Sequence, residues 1–345
     1  MSLVGMAKPG IFIFRPSPSP RLLPFSSGAR KGGWQEAFMA LKDETAKNVN
    51  PVFILISFPA ICYTTRISIT LLMYLTEVDM QITLPSGVRL RYDDEGTGRP
   101  VILLHAFPLS AALWRVQLTS LRDRMRMIAP DLRGFGGSGG NPPAQSLDDY
   151  ASDVLELLDA LGLDQVVLAG LSMGGYIAFA LLRRAPERIS GLLLADTRAT
   201  ADSDEVRATR AANAELVLRE GSAALAERVL PNLVAPQASE ALRAELLQIA
   251  SANPPEGIAA ALHAMAKRPD STSLLANIRV PTTVVVGAED VLTPPAEART
   301  MHEAIPESRF VVIPAAGHLS AIERPAEFNL ALVELVMKVD ALQQQ

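Results

Sequence analysis

The sequence of 345 residues has little cysteine, little histidine and no excess of positive charge. Its single cysteine, Cys62, excludes an internal disulfide framework and a cysteine-rich metal site. A formal net charge of −5, without a basic stripe along the chain, argues against a nucleic-acid-binding protein. Hydrophobic residues make up 49% of the chain, which is enough for a large core and excludes global disorder.

A long uninterrupted apolar run is also missing. Residues 52–75 are largely apolar, but Pro59 and Arg66 interrupt them. A membrane-spanning helix needs about 20 apolar residues with few charges. The run also begins too far from the N-terminus for a secretory signal. We therefore expect a cytoplasmic protein and do not expect the N-terminal region to contact a membrane.

The first 78 residues differ in composition from the rest, and we predict an irregular extension there. Between residues 11 and 31, four prolines stand among Ser, Arg and Gly. Residues 1–79 contain eight Lys or Arg and five Asp or Glu, so they carry +3 and the remainder −8. Because a complete folded domain could begin at Met80, we expect the extension to be dispensable, and an upstream mis-assigned start is one interpretation of it. A targeting segment and a membrane anchor are the rival interpretations.

The most informative stretch is residues 166–175, VVLAGLSMGG, in which an apolar run enters Gly-x-Ser-x-Gly and a helical pattern follows. This order of strand, tight turn and helix is the context of a nucleophile elbow, with Ser172 as the nucleophile. Gly170 and Gly174 flank the serine because a Cβ there would collide with the neighbouring backbone. The N–H of Met173, at the start of the helix, is free to bind an oxyanion.

Short apolar runs alternate with helical patterns along most of the chain, which predicts a mostly parallel sheet with helices on both faces. The predicted core covers residues 79–196 and 279–345. Residues 197–278 are rich in Ala, Leu, Glu and Arg and hold no convincing strand. We predict four helices there, at residues 206–219, 223–229, 239–250 and 257–267, and we interpret the segment as a helical cap inserted over the site.

Two further motifs carry a resemblance to a known family. One apolar strand ends in His105-Ala106-Phe107-Pro108, and another is followed by the turn Asp131-Leu132-Arg133-Gly134-Phe135-Gly136-Gly137-Ser138. With the elbow, these motifs resemble the α/β-hydrolase superfamily and imply its fold. The resemblance implies that Phe107 donates its backbone N–H to the oxyanion hole. The chain departs from the usual His-Gly loop, because Ala106 stands in the glycine position.

The resemblance also implies a carboxylate and an imidazole in the order Ser, Asp, His. Asp290 follows the apolar run at residues 283–286 in the expected place, with Glu289 and Asp196 as alternatives. Asp290 could also cap the helix that follows it. Of the four histidines, His318 alone lies in a late loop after a strand. We interpret His105 as a residue that holds its loop.

The resemblance is to the small esterase and lactonase branch, which includes 3-oxoadipate enol-lactonases and bacterial carboxylesterases. It implies a serine hydrolase that cleaves small carboxylic esters or lactones through an acyl-enzyme, with no metal or organic cofactor. Oligomeric state stays open. The predicted pocket wall consists of His105, Trp114, Leu319, Leu230 and Val234. Leu262 and Met265 of the cap are two further candidates for this wall.

Two alternatives remain within the same resemblance. Cofactor-free haloperoxidases share the triad, so a perhydrolase is the enzyme alternative. Some proteins of this fold, such as plant karrikin and strigolactone receptors, act as ligand receptors while they retain a triad. Epoxide hydrolases and dehalogenases of the fold use an aspartate nucleophile, so Ser172 disfavours both.

Overall fold

The computed structural model describes residues 80–344 in full and, before them, only the backbone of three strands. These strands, β1 (Ile11–Phe14), β2 (Phe53–Cys62) and β3 (Thr65–Met73), form an antiparallel sheet in the order β1-β2-β3. The prediction of an irregular extension is therefore wrong at these strands. The apolar residues of β2 and β3 pair with each other as a hairpin. The rest of residues 1–79, and the question of whether they are dispensable, lie outside the described residues.

The second unit of the chain, residues 81–345, is built on an eight-stranded sheet. Its strands are β4 (Met80–Thr83), β5 (Arg89–Glu95), β6 (Pro100–Leu104), β7 (Arg126–Pro130), β8 (Val166–Leu171), β9 (Ile189–Ala195), β10 (Thr282–Gly287) and β11 (Arg309–Ile313). Their order is β11-β10-β9-β8-β6-β7-β5-β4. The pairs β7-β6, β6-β8, β8-β9, β9-β10 and β10-β11 are all parallel, whereas β5 is antiparallel to β7. The predicted mostly parallel α/β fold is therefore confirmed.

Helices connect these strands and pack on the sheet. They are Arg115–Leu121, Leu147–Ala160, Met173–Arg184, Pro295–Ala304, Ser320–Glu323 and Pro325–Gln343. The helix at Leu147 begins directly after Ser146, because Ser146 and Asp149 form a capping box. The helix at Met173 packs against β8 and the helix at Leu147, which fixes the first helical turn after Ser172.

The segment between β9 and β10, which we call the cap, holds five helices among the described residues. They are Asp204–Glu220, Ser222–Val229, Glu240–Ser251, Pro255–Ala266 and Thr272–Leu275. The first four match the predicted helices to within two residues at every end, and the short fifth helix was not predicted. The cap meets the core through two glycines, because a Cβ built on Gly134 would lie 2.8 Å from the Cα of Gly257.

The parallel register brings the carboxyl ends of four strands to one edge of the sheet. Leu104 of β6 lies opposite Gly170, and Leu171 of β8 lies opposite Ala195. β10 runs parallel to β9 in the same sheet. The loops that carry Phe107, Ser172 and Asp290 therefore leave the sheet at this edge, where ligands bind in open α/β sheets.

Candidate active site

Ser172 occupies a strained backbone position at the end of β8. Its φ of 54° and ψ of −110° lie where non-glycine residues are rare. The N–H of Ser172 donates to the carbonyl of Ala195 at 2.9 Å, which holds the turn against β9. A Cβ at Gly174 would overlap the carbonyl of Leu104, and one at Gly170 would overlap the backbone of Gly174. The two glycines therefore allow the backbone approaches that raise the serine above the strand.

The structure brings Ser172, His318 and Asp290 together in one hydrogen-bonded line. His318 Nε2 lies 2.8 Å from Ser172 Oγ, and His318 Nδ1 lies 2.8 Å from Asp290 Oδ2. Ser172 is 9% exposed and the other two residues are 3% exposed, so the serine is the most accessible of the three. This arrangement can move a proton from the hydroxyl to the imidazole while the carboxylate fixes the tautomer.

Thr293 supports Asp290 and was missed by the sequence reasoning. Its hydroxyl donates to Asp290 Oδ2 at 2.5 Å, and its N–H donates to Oδ1 at 2.9 Å. Burial alone would raise the pKa of Asp290, but the charge and hydrogen bond of His318 and the bonds from Thr293 outweigh it and lower the pKa. The spacing Asp-x-x-Thr after a buried strand is the signal that could have identified this partner.

The alternative carboxylates lie elsewhere in the network. Asp196 is fully buried and accepts hydrogen bonds from the N–H groups of Gly287 and Ser320, at 2.8 and 3.2 Å. It therefore joins the end of β10 to the loop that carries His318. Burial, and then the nearby charge of Asp290, raise the pKa of Asp196 well above its ordinary value. Glu289 accepts from Gln237 of the cap at 2.8 Å and does not contact His318.

The two predicted oxyanion donors are Phe107 and Met173, and Met173 follows Ser172 directly in the chain. Among the described residues, no hydrogen bond occupies the backbone N–H of Phe107 or of Met173. Phe107 and Ser172 line the same cavity. His105, the residue directly after β6, is buried, and its Nε2 accepts from the N–H of Leu132 at 3.1 Å. Burial lowers the pKa of His105 to about 4, so a neutral ring holds this loop against the turn after β7.

A cavity of about 440 Å³ lies beside Ser172 and His318, between the sheet edge and the cap. Volumes of this order accommodate small organic ligands. Its apolar wall includes both further cap candidates, Leu262 and Met265, together with Phe107, Tyr176, Val206, Val229, Leu233 and Leu292.

The pocket-wall prediction differs from the structure at His105, Trp114, Leu319, Leu230 and Val234, none of which lines this cavity. Trp114 and Leu319 are fully buried in the core, where the indole ring packs 5.7 Å from the ring of Phe328. The 3-10 turn Leu230–Asn232 interrupts the helical spacing, and Leu230 does not line the cavity. The neighbours Val229 and Leu233 line the cavity instead.

Two polar residues that join the cap to the core were also missed. Asn253 accepts from the N–H of Gly136 at 2.7 Å and donates to the carbonyl of Pro108 at 2.7 Å. Glu323 accepts from the N–H groups of Ala235 and Gly317, at 2.8 and 2.9 Å. A single sequence offers no local signal for such long-range contacts. In the described part of the chain, no cluster of His, Cys, Asp and Glu could hold a metal ion.

A mostly parallel sheet that carries a strained serine, an imidazole and a carboxylate at one edge defines the class, an α/β protein of the hydrolase fold. The chain belongs to the alpha/beta hydrolase fold family, whose sequence profile matches residues 99–325. Within that family it falls in the esterase and lactonase branch, as its relatives indicate.

Three relatives illustrate this placement. The 3-oxoadipate enol-lactonase 2 of Acinetobacter baylyi is 31% identical over 73% of this chain and 94% of its own. A thermophilic esterase from Thermogutta terrifontis, solved with malate bound, is 43% identical, covers 76% of this chain and 99% of its own, and superposes with a TM-score of 0.73. The putative non-heme bromoperoxidase BpoC of Mycobacterium tuberculosis is 29% identical over 74% of this chain and 100% of its own.

Among the described residues, no helix is long and apolar enough to cross a membrane.

Proposed function

We propose that this protein is a serine hydrolase that cleaves small carboxylic esters or lactones through an acyl-enzyme. The observation that carries the proposal is the line from Ser172 Oγ to His318 Nε2 and from His318 Nδ1 to Asp290, with 2.8 Å at each step, beside a cavity. The esterase and enol-lactonase relatives support the same reaction class.

In the proposed reaction, His318 Nε2 takes the proton of Ser172 Oγ while the oxygen attacks the substrate carbonyl. The backbone N–H groups of Met173 and Phe107 bind the oxyanion; the loss of one such donor typically costs about 2.7–4 kcal/mol of barrier. His318 then protonates the leaving alcohol, which departs from an ester and stays attached in a lactone. A water molecule then gives a proton to His318 and attacks the acyl carbonyl. The acid is released, and His318 returns the proton to Ser172 Oγ.

The test is hydrolysis of p-nitrophenyl acetate and butyrate beside a panel of lactones, with Ser172→Ala as the variant. We expect turnover by the wild-type protein and its loss in the variant, with an unchanged circular dichroism spectrum. A covalent adduct of an organophosphate on the peptide that contains Ser172, seen by mass spectrometry, would identify the nucleophile. Full activity in purified Ser172→Ala would contradict the proposal.

The bromoperoxidase relative favours a second candidate, perhydrolysis at the same site. In that reaction hydrogen peroxide attacks the acyl-enzyme in place of water and takes the acyl group, which releases a peracid. The peracid then oxidises bromide in solution. The test is bromination of monochlorodimedone in acetate buffer with peroxide and bromide. Because the acyl-enzyme is shared, Ser172→Ala must abolish both activities; bromination that survives in the variant would separate the two reactions.

A further inference from the structure

The charged residues that line the cavity are unbalanced. The described residues that line it include the arginines Arg198, Arg210 and Arg228 but a single acidic residue, Asp202. This excess of positive charge contrasts with the net charge of −5 on the whole chain. The net charge of the cavity therefore depends on which of these arginines are paired with a carboxylate.

Asp202 neutralises one arginine but contacts two. Its carboxylate, 1% exposed, lies 2.5 Å from Arg210 Nε and 2.5 Å from Arg268 Nη1. Burial alone would raise the pKa of Asp202, but the two arginines outweigh it and lower the pKa, so the carboxylate is ionised. The guanidinium of Arg268 also stacks 4.1 Å from the ring centroid of Tyr176, a residue of the cavity wall. This cluster therefore keeps one surplus positive charge beside the cavity, which Arg210 lines.

Arg228 contributes the second surplus charge. It lies in the last turn of the helix Ser222–Val229, is exposed, and makes no hydrogen bond or ion pair with any described residue. Arg198 differs, because its Nε lies 3.0 Å from Glu297 and its guanidinium donates to the carbonyl of Leu292. Arg228 is thus the lining arginine whose donors are all available to a ligand.

Two amide side chains lie in the same wall. Asn213 and Asn232 both line the cavity, and Asn213 Oδ1 is buried without a partner among the described residues. An amide can present either its oxygen or its NH₂ group after a flip, so these residues can add neutral hydrogen bonds beside the arginines. A buried polar atom without a partner is commonly satisfied by water or by a bound ligand.

We infer that the cavity is built for an anionic substrate, an ester or lactone that carries a free carboxylate, and that Arg228 binds this carboxylate while the reacting carbonyl lies at Ser172. The inference rests on the proposed function and specifies its substrate class. Arginine suits the role because its planar fork matches a carboxylate in two hydrogen bonds. The remaining charge on the Arg210 cluster strengthens the attraction, because the cavity walls exclude part of the solvent.

The first experiment compares matched substrates with and without the charge. Mono-p-nitrophenyl glutarate carries a carboxylate, and its methyl ester has nearly the same shape without one. We expect kcat/KM to be about tenfold higher for the anionic substrate, mainly through a lower KM, because the carboxylate binds away from the reacting carbonyl. The preference should shrink as the salt concentration is raised from about 0.05 to 0.5 M, because ions screen exposed charges.

The second experiment changes the arginine. Arg228→Gln should reduce the ratio of the two kcat/KM values to near one, and Arg228→Lys should retain part of it because the charge remains without the fork. The matched control is Arg219→Gln, an exposed cap arginine that pairs with Glu220 and lies outside the cavity. It should leave the ratio unchanged. A wild-type ratio near one, or a ratio that persists in Arg228→Gln, would overturn the inference.

A binding measurement separates this inference from the proposed function. Ser172→Ala should bind mono-p-nitrophenyl glutarate about tenfold more tightly than its methyl ester in calorimetric titrations, and the Arg228→Gln change should remove the difference. Hydrolysis without a charge preference would refute the anion subsite alone. Charge-selective binding without any hydrolysis by the wild-type protein would refute the esterase proposal alone, and equal binding of both esters would refute the subsite.

Discussion

The side-chain amide of Asn253 donates to the carbonyl of Pro108 over 2.7 Å, although the two residues are 145 positions apart. The same side chain accepts from the N–H of Gly136 at 2.7 Å. Asn253 is 3% exposed and lies in the turn between two cap helices, whereas Pro108 follows the proposed oxyanion donor Phe107. The cap therefore holds the loop that carries the proposed oxyanion donor, in addition to covering the cavity.

We predict that Asn253→Ala lowers both stability and turnover. The change leaves the carbonyl of Pro108 and the N–H of Gly136 without their partner, which costs roughly 1–3 kcal/mol when the groups stay buried. Looser placement of Phe107 should reduce kcat more than it raises KM, because the oxyanion exists only in the reaction and not in the bound substrate. Urea denaturation and steady-state kinetics with p-nitrophenyl butyrate measure the two effects.

The control is Asn277→Ala, at an exposed asparagine whose amide donates to the carbonyl of Ser273 within the same short turn. It should leave kcat and the free energy of unfolding within error of the wild type. A loss of stability in Asn253→Ala without any loss of kcat would show that the bond to Pro108 supports the fold and not the oxyanion donor.

The carboxylate of Asp290 should be indispensable for fast turnover. In Asp290→Asn the NH₂ group must face donors at either position: His318 Nδ1 and the Thr293 hydroxyl at Oδ2, or two backbone N–H groups at Oδ1. The imidazole then adopts the wrong tautomer or loses its orientation, and we expect kcat to fall by up to about 10⁴-fold. Single-turnover kinetics should place the loss in acylation, with the protein still folded.

Glu289→Gln is the matched control for that variant, since it removes the adjacent carboxylate. Glu289 faces Gln237 and not His318. We expect kcat to change less than twofold. If Glu289→Gln lowered kcat as much as Asp290→Asn, the carboxylate that pairs with His318 would have to be assigned to Glu289.

Much of the site follows from patterns that are local in sequence. The glycines around Ser172 mark a sharp strand-to-helix turn, and alternation of apolar runs with helices specifies the parallel sheet. The choice between Asp196 and Asp290 is not local, because each follows a buried strand. It depends on which carboxylate the loop of His318 approaches, and in the folded chain Asp196 meets Ser320 of that loop instead.

The cavity wall was harder to predict for a different reason. Val206, Thr209, Arg210 and Asn213 line the cavity from one helix, at spacings of three, one and three residues. This spacing places them on one helical face. Because the face mixes charged, polar and apolar side chains, hydrophobic periodicity does not distinguish it from the solvent face. A search for polar residues at helical spacing in the cap would have found it.

Asp196 should make the stability depend on pH with a sign opposite to that of most carboxylates. Its folded pKa is raised above the ordinary 3.8, first by burial and then by the charge of Asp290. Between 3.8 and the folded pKa, the folded state keeps a proton that the unfolded chain releases. This contribution to the free energy of unfolding is therefore complete below the unfolded pKa and is lost as pH rises through the folded pKa.

Asp196→Asn tests this sign because the amide does not titrate. Relative to the variant, the wild-type protein should lose stability in urea denaturation as pH rises from 3.8 through the raised folded pKa of Asp196. Asp270→Asn is the control. The hydrogen bond from Thr272 lowers the pKa of the exposed Asp270, so that carboxylate is ionised in both states over the same range. A pH-independent difference between wild type and Asp196→Asn would contradict the raised pKa.

Gly257→Ala should separate the cap from the core. Gly257 lies inside the helix Pro255–Ala266, where alanine would normally add up to about 1 kcal/mol of stability. In this fold, however, an added Cβ would overlap the carbonyl of Gly134 in the turn after β7. We therefore expect net destabilisation of roughly 1–3 kcal/mol, as for an overpacked core, together with a raised KM for p-nitrophenyl butyrate.

Gly139→Ala provides the comparison, because a Cβ there would meet its nearest neighbour, the carbonyl of Arg89, at an ordinary 3.5 Å. Both variants add one methyl group to the same cap-proximal region, so a difference between them reports the contact of Gly257 with Gly134 and not the loss of a glycine. If Gly257→Ala were as stable as Gly139→Ala and kept the wild-type KM, the cap could move away from the turn without cost. The cavity wall would then not be held at fixed distance from Ser172, and the substrate preference assigned to Arg228 would have to be explained by a mobile cap.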